Sequence, residues 1–396
     1  MTSLQNTECI IVINCGSSSL KFAVFSLEGE TVLVKGLAER LGGPDAILKI
    51  ERDGETTCVA IPEASHHDAL QQVTARLTGL NPRGIGHRIV HGGEKFTGSV
   101  VINAAVMTAV ESCGSLAPLH NPANLIGVRT AQELFPQLPQ IAVFDTAFHQ
   151  SLPPRAYLYA IPLSYYEEMK IRRYGFHGTS HHYILLETAR LIGKKPEETS
   201  LITMHLGNGC SACAIQNGRS VDSTMGLTPS EGLVMGTRSG DVDPALHQFL
   251  QDKTGMRLSE ITTMLNSQSG LLGLSGLSND MRTLADAAAN GHQRAQLAIE
   301  VFCYRLAKSV CGLIASLDIL DALVFTGGIG ENSADTRSRV AAHFKILGVR
   351  INETNNANHG RQSGRCISAN DSRIPCLVVP TNEELMIARE TRRLIS

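Results

Sequence analysis

The chain of 396 residues is 43% hydrophobic and 18% charged, a globular composition long enough for two domains, which excludes predominant disorder. Its 35 Lys and Arg face 37 Asp and Glu, a formal net charge of −2, which sets it apart from strongly basic proteins that grip nucleic-acid backbones. Longer uncharged stretches such as Leu201 to Gly218 are broken by His205, Asn208, Gln216 and several glycines, so no transmembrane helix is predicted and no membrane partner is expected. The N-terminal apolar run Cys9 to Ile13 is too short for a signal-peptide core, and a cytoplasmic protein is expected.

In chain order, Ile10 to Phe25 (IIVINCGSSSLKFAVF) reads as an apolar run, a Gly/Ser turn and a second apolar run, a β-hairpin. Strands are predicted at Gly84 to Val90 and Ile141 to Phe144, and a helix over Tyr183 to Leu191. Leu201 to Ile215 (LITMHLGNGCSACAI) repeats the hairpin pattern. Its turn glycine Gly209 lies close to half a chain length from Gly16, the spacing of a duplicated two-domain fold. A helix over Ala295 to Leu317 and a strand at Ala322 to Phe325 follow. After Pro380, Thr381 as N-cap and Glu384 at N3 form a capping box that opens a C-terminal helix. Mixed strands and helices indicate α/β, with the domain boundary near His149 to Pro154.

Several of the ten cysteines, among them Cys9, Cys311 and Cys376, lie in apolar runs and read as reduced core thiols. Cys210 and Cys213 make a C-x-x-C with no second pair at zinc-ribbon spacing, so burial is the expected role.

Small residues dominate the candidate site. Asn14 to Lys21 (NCGSSSLK) is either a turn whose N–H groups and hydroxyls grip an anion or a small-residue hairpin beside a solvated lysine. Leu206 to Gly209 (LGNG) is a second such turn, and Thr326 to Asn332 (TGGIGEN) follows an apolar strand where a nucleotide can approach the backbone. There is no Walker A sequence, and Ser333 stands where a dinucleotide fingerprint needs its third glycine, which disfavours a Rossmann dehydrogenase. Arg88 in GHRIVHGG and Arg238 in GTRSGD are each either a bidentate anion clamp or a surface arginine beside a turn. The histidines of Arg172 to His182 (RRYGFHGTSHH) lack H-E-x-x-H spacing and fit phosphate contact or hydrogen bonding better than zinc. Asp243 before Pro244 is read as a helix cap, and Asp145 ends the strand IAVF, facing a ligand crevice or pairing with an arginine.

Together NCGSSSLK, GHRIVHGGEKF, APLHNP, VFDTAFH, RRYGFHGTSHHY, HLGNG, GLTPSEGLVMGTRSGDVDP, FTGGIGEN and PTNEEL, in order from Asn14 to Leu385, resemble the acetate kinase family of short-chain acyl kinases. The resemblance implies an α/β fold of two duplicated ribonuclease-H-like domains of the acetate and sugar kinase, Hsp70 and actin superfamily, with a nucleotide cleft between them. The domains would be 1–149 plus 382–396, and 150–381. It implies reversible Mg²⁺-dependent transfer of the ATP γ-phosphoryl group to acetate, giving acetyl phosphate and ADP by direct in-line transfer, with Mn²⁺ as a substitute metal, in a homodimer. Position by position, Asn14, Ser17, Ser19 and Lys21 match the first phosphate motif, and His205, Gly207, Asn208 and Gly209 the second. Arg88, His120, Asp145, His177 and Arg238 match the active-site positions. Glu383, with Asn14, matches the metal side, and Asp280, Met281, Arg282, Gly328, Ile329, Gly330 and Asn332 the surroundings of adenosine. Arg88, Val90, Leu119, Phe176 and Pro229 match the pocket for acetate and its methyl group. Glu384 would close the capping box and leave Glu383 to face the cleft. Propionate kinases share much of the pattern. An actin- or Hsp70-like ATPase is the competing class, and it needs no second anion site of the kind that Arg88 and Arg238 imply.

Overall fold

The computed structural model describes residues 6–114, 116–118 and 120–396, so Leu119 lies outside the described residues. The chain divides into two compact units, Met1–Phe148 with Asn382–Ser396, and His149–Thr381.

In the first unit the expected hairpin forms from β1 (Thr7–Cys15) and β2 (Ser19–Ser26), antiparallel from Cys9 opposite Ser26 to Cys15 opposite Leu20. Its turn is closed by the Gly16 N–H donating to the Ser19 carbonyl at 2.8 Å. Strands β3 (Val32–Glu39), β4 (Ile47–Arg52) and β5 (Glu55–Ala60) extend the sheet antiparallel on one side. On the other side lie β6 (Leu80–Ile89), β7 (Val100–Val101) and β8 (Gln140–Phe144), giving the order β5-β4-β3-β2-β1-β6-β8-β7. One face buries Ile11, Ile13, Leu20, Phe22 and Val24 with Val34 and Leu48, covered by Ala69, Leu70 and Val73 of the helix His66–Thr74. The strands β3 to β5 have no strong apolar signature, because Lys35, Lys49 and Glu51 alternate with their core residues and β5 is almost wholly exposed.

The second unit is built on β9 (Leu201–Leu206), β10 (Cys210–Gln216), β11 (Arg219–Ser223), β12 (Ala322–Thr326) and β13 (Cys376–Val378). Their order is β11-β10-β9-β12-β13, with β9 to β11 antiparallel and β9, β12 and β13 parallel. The first sheet contains the same arrangement in β3-β2-β1-β6-β8, with antiparallel and parallel pairs in the same places. The two hairpins with related patterns are therefore the same element of one topology. The helices expected over Tyr183 to Leu191 and Ala295 to Leu317 run Gly178–Ile192 and Gln293–Ile314.

Three local expectations are corrected. The C-terminal helix, Glu383–Ile395, is capped not by Thr381 but by Asn382, whose Oδ1 accepts from Leu385 N–H at 3.0 Å. The Thr381 hydroxyl is engaged with Ser180 at 2.8 Å, and Glu384 forms an ion pair with Lys21 instead of closing a capping box. Asp243 does not cap the helix Leu246–Thr254; its carboxylate accepts from Ala245 N–H at 2.8 Å in the preceding turn. Cys9, Cys210, Cys213 and Cys376 are buried, but Cys311 is exposed, because it falls off the stripe of Phe302, Leu306 and Val310 that buries its helix. Burial pushes the Cys210 and Cys213 thiols up to about 12. No helix among the described residues is long and apolar enough to cross a membrane.

The C-terminal helix lies against β6 at Gly86. A Cβ there would come within 2.3 Å of Thr391 Oγ1 and 2.6 Å of Ile387 Cγ2. Gly86→Ala is therefore expected to destabilise the protein by about 1–3 kcal/mol through overpacking, whereas Gly98→Ala, whose Cβ meets nothing within 4 Å, should change stability little. Urea unfolding of the two variants checks both.

Candidate active site

The ends of two parallel strands build the charged site of the first unit. In the β6–β8 register Ile89 stands opposite Phe144, and the Asp145 N–H donates to the Ile89 carbonyl at 3.0 Å, so Arg88 and Asp145 leave the sheet side by side. Arg88 Nε lies 3.1 Å from each Asp145 oxygen and Nη2 2.6 Å from Oδ2. Burial disfavours the cation, but the carboxylates of Asp145, Glu383 and Glu384 outweigh it and raise the Arg88 pKa. Glu383, in the first turn of the C-terminal helix, is half-buried; burial pushes its carboxyl up to about 7, with Arg88 opposing and Asp145 and Glu384 adding to the rise. Asn14 on β1 pairs with Lys21 on β2, and Ser17 and Ser19 flank the turn that His66 Nε2 steadies at the Gly16 carbonyl, 2.8 Å away.

Arg88 is the charged residue of its motif. His87 and His91 are buried, and burial lowers both to about 4, so they are neutral core histidines. Val90 is buried at the strand end, and His120 is half-buried immediately before the helix Asn121–Leu134.

Two residues of this region went unnoticed in the sequence. Asn124 accepts from Val90 N–H at 3.0 Å and donates to the Cys15 carbonyl at 2.8 Å, while Asn121 accepts from His91 N–H at 3.1 Å and donates to the His91 carbonyl at 3.0 Å. Both are buried, and together they tie the Arg88 strand end and the β1–β2 turn to one helix. Their signal was two amides three apart on one helical face, Asn121 inside the motif APLHNP and Asn124 two residues beyond it.

In the second unit His177, at φ +55°, opens the helix Gly178–Ile192, and its ring stacks on His205 with centroids 4.3 Å apart. His205 Nδ1 is 2.8 Å from Ser180 Oγ. A Cβ on Gly209 would lie 3.4 Å from His177 Cε1 and 3.5 Å from Arg238 Nη1, so the β9–β10 turn brings these three residues together. Arg238 donates to the Pro229 carbonyl at 2.9 Å and has no carboxylate partner among the described residues. Burial lowers its pKa. Phe176 is buried, and its carbonyl lies 3.0 Å from His149 Nε2.

A cavity of about 730 Å³ opens beside the same turn. Gly207, Asn208, Asp280, Met281, Arg282, Gly328, Ile329 and Asn332 line it with Ser333, as do Asn279, Asp286 and Asp335, which the sequence did not single out. Asn279 donates to Asn208 Oδ1 at 2.9 Å. Asp280 caps the helix Met281–Ala289, and its hydrogen bonds from the Arg282 side chain and N–H hold its carboxyl near 2. Gly328 opens to the cavity, where a Cβ meets nothing within 4 Å. Gly330 does not line the cavity; it is buried against Leu206 and Phe325, where its missing Cβ permits close packing. At the end of the short helix Gly327–Asn332, Arg337, 0% exposed, donates to the Gly330 carbonyl at 2.8 Å and the Glu331 carbonyl at 3.0 Å. Within a helix of ordinary composition nothing marked it beforehand.

A duplicated sheet topology, a glycine-lined cavity and, beside it, an arginine with no carboxylate partner among the described residues fit an α/β phosphotransferase. The acetokinase family pattern matches residues 9–389. Acetate kinases of Deinococcus deserti and Pseudomonas aeruginosa are each 52% identical, over 98% of this chain and 98% of their own. A solved propionate kinase from Francisella tularensis superposes with a TM-score of 0.93 at 44% identity, over 98% of this chain and all of its own. The Porphyromonas gingivalis acetate kinase superposes at 0.92 and 40% identity with the same coverage. The chain belongs to the acetokinase family.

Asn124→Ala is expected to cost about 2–4 kcal/mol, since it leaves the buried Val90 N–H and Cys15 carbonyl without partners. A fall in the thermal midpoint, accompanied by loss of activity before global unfolding, checks this.

Proposed function

We propose that this enzyme is an acetate kinase: it transfers the γ-phosphoryl group of ATP reversibly to a carboxylate oxygen of acetate, forming acetyl phosphate and ADP. The observation that carries the reading is Arg238, which meets Gly209 and His177 and lacks an acidic partner among the described residues, next to a cavity of nucleotide size. Acetate is a carboxylate at neutral pH, so its oxygen attacks phosphorus directly as the bond to the β,γ-bridging oxygen breaks. No general base is required.

Arg88 binds the acetate carboxylate. Its Nε and Nη2 are engaged by Asp145, which orients the guanidinium and leaves Nη1 for the substrate; Asp145 therefore acts through the arginine. Arg238 and His177 bind the equatorial oxygens of the transferred group, where negative charge moves. His120 completes this set. Asp280, Met281, Arg282, Gly328 and Ile329 hold the adenosine end, with Gly207, Asn208, Ser17, Ser19 and Lys21 on phosphates and Val90, Phe176 and Pro229 against the methyl group. Glu383 and Asn14 offer hard oxygen donors that fit Mg²⁺, which takes one or two carboxylates beside substrate phosphates and neutralises their charge. Glu383, with its proton affinity raised by burial and neighbouring carboxylates, fits a site that a divalent cation completes. We also infer a cytoplasmic homodimer; Leu163, Tyr165 and Met169 are apolar side chains left exposed for a second copy.

Hydroxylamine trapping of the acyl phosphate, run with acetate and with propionate, tests the reaction. Acetate is expected to be the better substrate, and ATP hydrolysis without trapped product would favour the ATPase class. Arg88→Ala and Arg238→Ala should each lose about 100- to 1,000-fold in kcat with the fold retained. Near-normal kcat in either removes its assigned role. Gly328→Leu should raise the KM for ATP about tenfold or more, ~1.4 kcal/mol of binding per factor of ten, without lowering the thermal midpoint.

A further inference from the structure

Three fully buried side chains of the second unit stand in a row behind His177, and the mechanism above uses none of them. Thr203 Oγ1 on β9 lies 2.7 Å from His181 Nδ1, and His181 Nε2 lies 2.8 Å from Ser211 Oγ on β10. Ser211 Oγ in turn lies 2.9 Å from His177 Nδ1. His181 follows His177 by one helical turn, its N–H donating to the His177 carbonyl at 2.9 Å.

Counting hydrogens fixes the direction of the row. A hydroxyl carries one proton and a neutral imidazole one. Among the described residues the Thr203 hydroxyl bonds to His181 Nδ1 alone, and Thr203 is 0% exposed, so its proton must point there or remain buried without an acceptor. His181, which burial and the neighbouring His149 and His205 keep neutral, then carries its proton on Nε2 and donates it to Ser211. Ser211, accepting from His181, gives its own proton to His177 Nδ1. An imidazole that accepts at Nδ1 and carries a single proton has that proton on Nε2. That nitrogen and Arg238 Nη1 would each lie 3.5 Å from a Cβ on Gly209, so both face the same space. Two N–H donors there suit a phosphoryl oxygen, whereas a lone pair on Nε2 would repel it.

We propose that Thr203, His181 and Ser211 are positioning residues that lock His177 in its Nε2–H tautomer, so that it meets the transferred phosphoryl group as a donor beside Arg238. The catalytic consequence rests on the acyl kinase reading; the tautomer itself is a property of the ligand-free protein.

The test is a long-range ¹H–¹⁵N correlation spectrum of the ¹⁵N-histidine-labelled protein at pH 8, with His177 assigned by the signals lost in His177→Gln. The wild type is expected to show a protonated Nε2 and an unprotonated Nδ1. Thr203→Val, which keeps the shape but removes the hydroxyl, and Ser211→Ala should give a mixture or the Nδ1–H form. Both should lower kcat about ten- to a hundredfold, less than the loss of a whole donor, with little change in KM, and Thr203→Ser should restore it. An Nδ1–H or cationic His177 in the wild type, or an unchanged tautomer in the variants, overturns the proposal. A changed tautomer with unchanged kcat overturns its part in catalysis. If Ser211→Ala does not fold, Thr203→Val decides alone. Absence of acetate-dependent turnover in the wild type refutes the acyl kinase reading, and the spectrum still decides the tautomer.

Discussion

A guanidinium withdrawn from water must be given partners, and the way each unit meets that demand organises its site. In the first unit the partner is Asp145, which holds Arg88 through Nε and Nη2 at the mouth of two parallel strands. The hydrogen bonds of Asn121 and Asn124 and the charge of Glu383 all act on this strand end. A buried pair of this kind contributes little net stability, since desolvation offsets most of the attraction; its value is that one cation has one orientation.

The second unit answers the same demand differently. Arg238 is held by a carbonyl and a thioether and has no carboxylate partner among the described residues. Arg337 is held by carbonyls and an amide oxygen at the end of the short helix Gly327–Asn332, where it satisfies the last carbonyls of that helix. Of these three arginines, one is held by a carboxylate, one by a carbonyl and a thioether, and one by the carbonyls of a helix end. Nothing in the residue type distinguishes them.

Glycine has a similar range of uses. Gly327, at φ +75°, comes so close to Leu206 that a Cβ would lie within 2.8 Å of its carbonyl oxygen, whereas the neighbouring Gly328 faces open space. One glycine permits backbone approach between β9 and the helix that follows β12, and the other leaves the cavity wall open. Histidines divide in the same manner: His87, His91 and His181 are buried with lowered proton affinity, while His177 stands with Arg238 beside Gly209.

Local order was legible in the chain wherever it follows from near neighbours. Apolar runs on either side of small-residue turns announced both hairpins, 3.6-residue periodicity announced the helices Gly178–Ile192 and Gln293–Ile314, and the half-chain spacing of two turns announced the repeated topology. The motifs also sufficed to indicate the family. Only the tertiary structure could decide which of two equivalent-looking groups does what. The helix cap passed from Thr381 to Asn382 because Ser180, two hundred positions earlier in the chain, engages the threonine hydroxyl. Arg88 acquired its carboxylate across 57 positions, and Asn124 reached Cys15 across 109. Hydrogen bonds and charges act over a few ångströms of space without regard to separation along the chain, so the pairing of polar groups is settled only when the sheets and helices that carry them have packed.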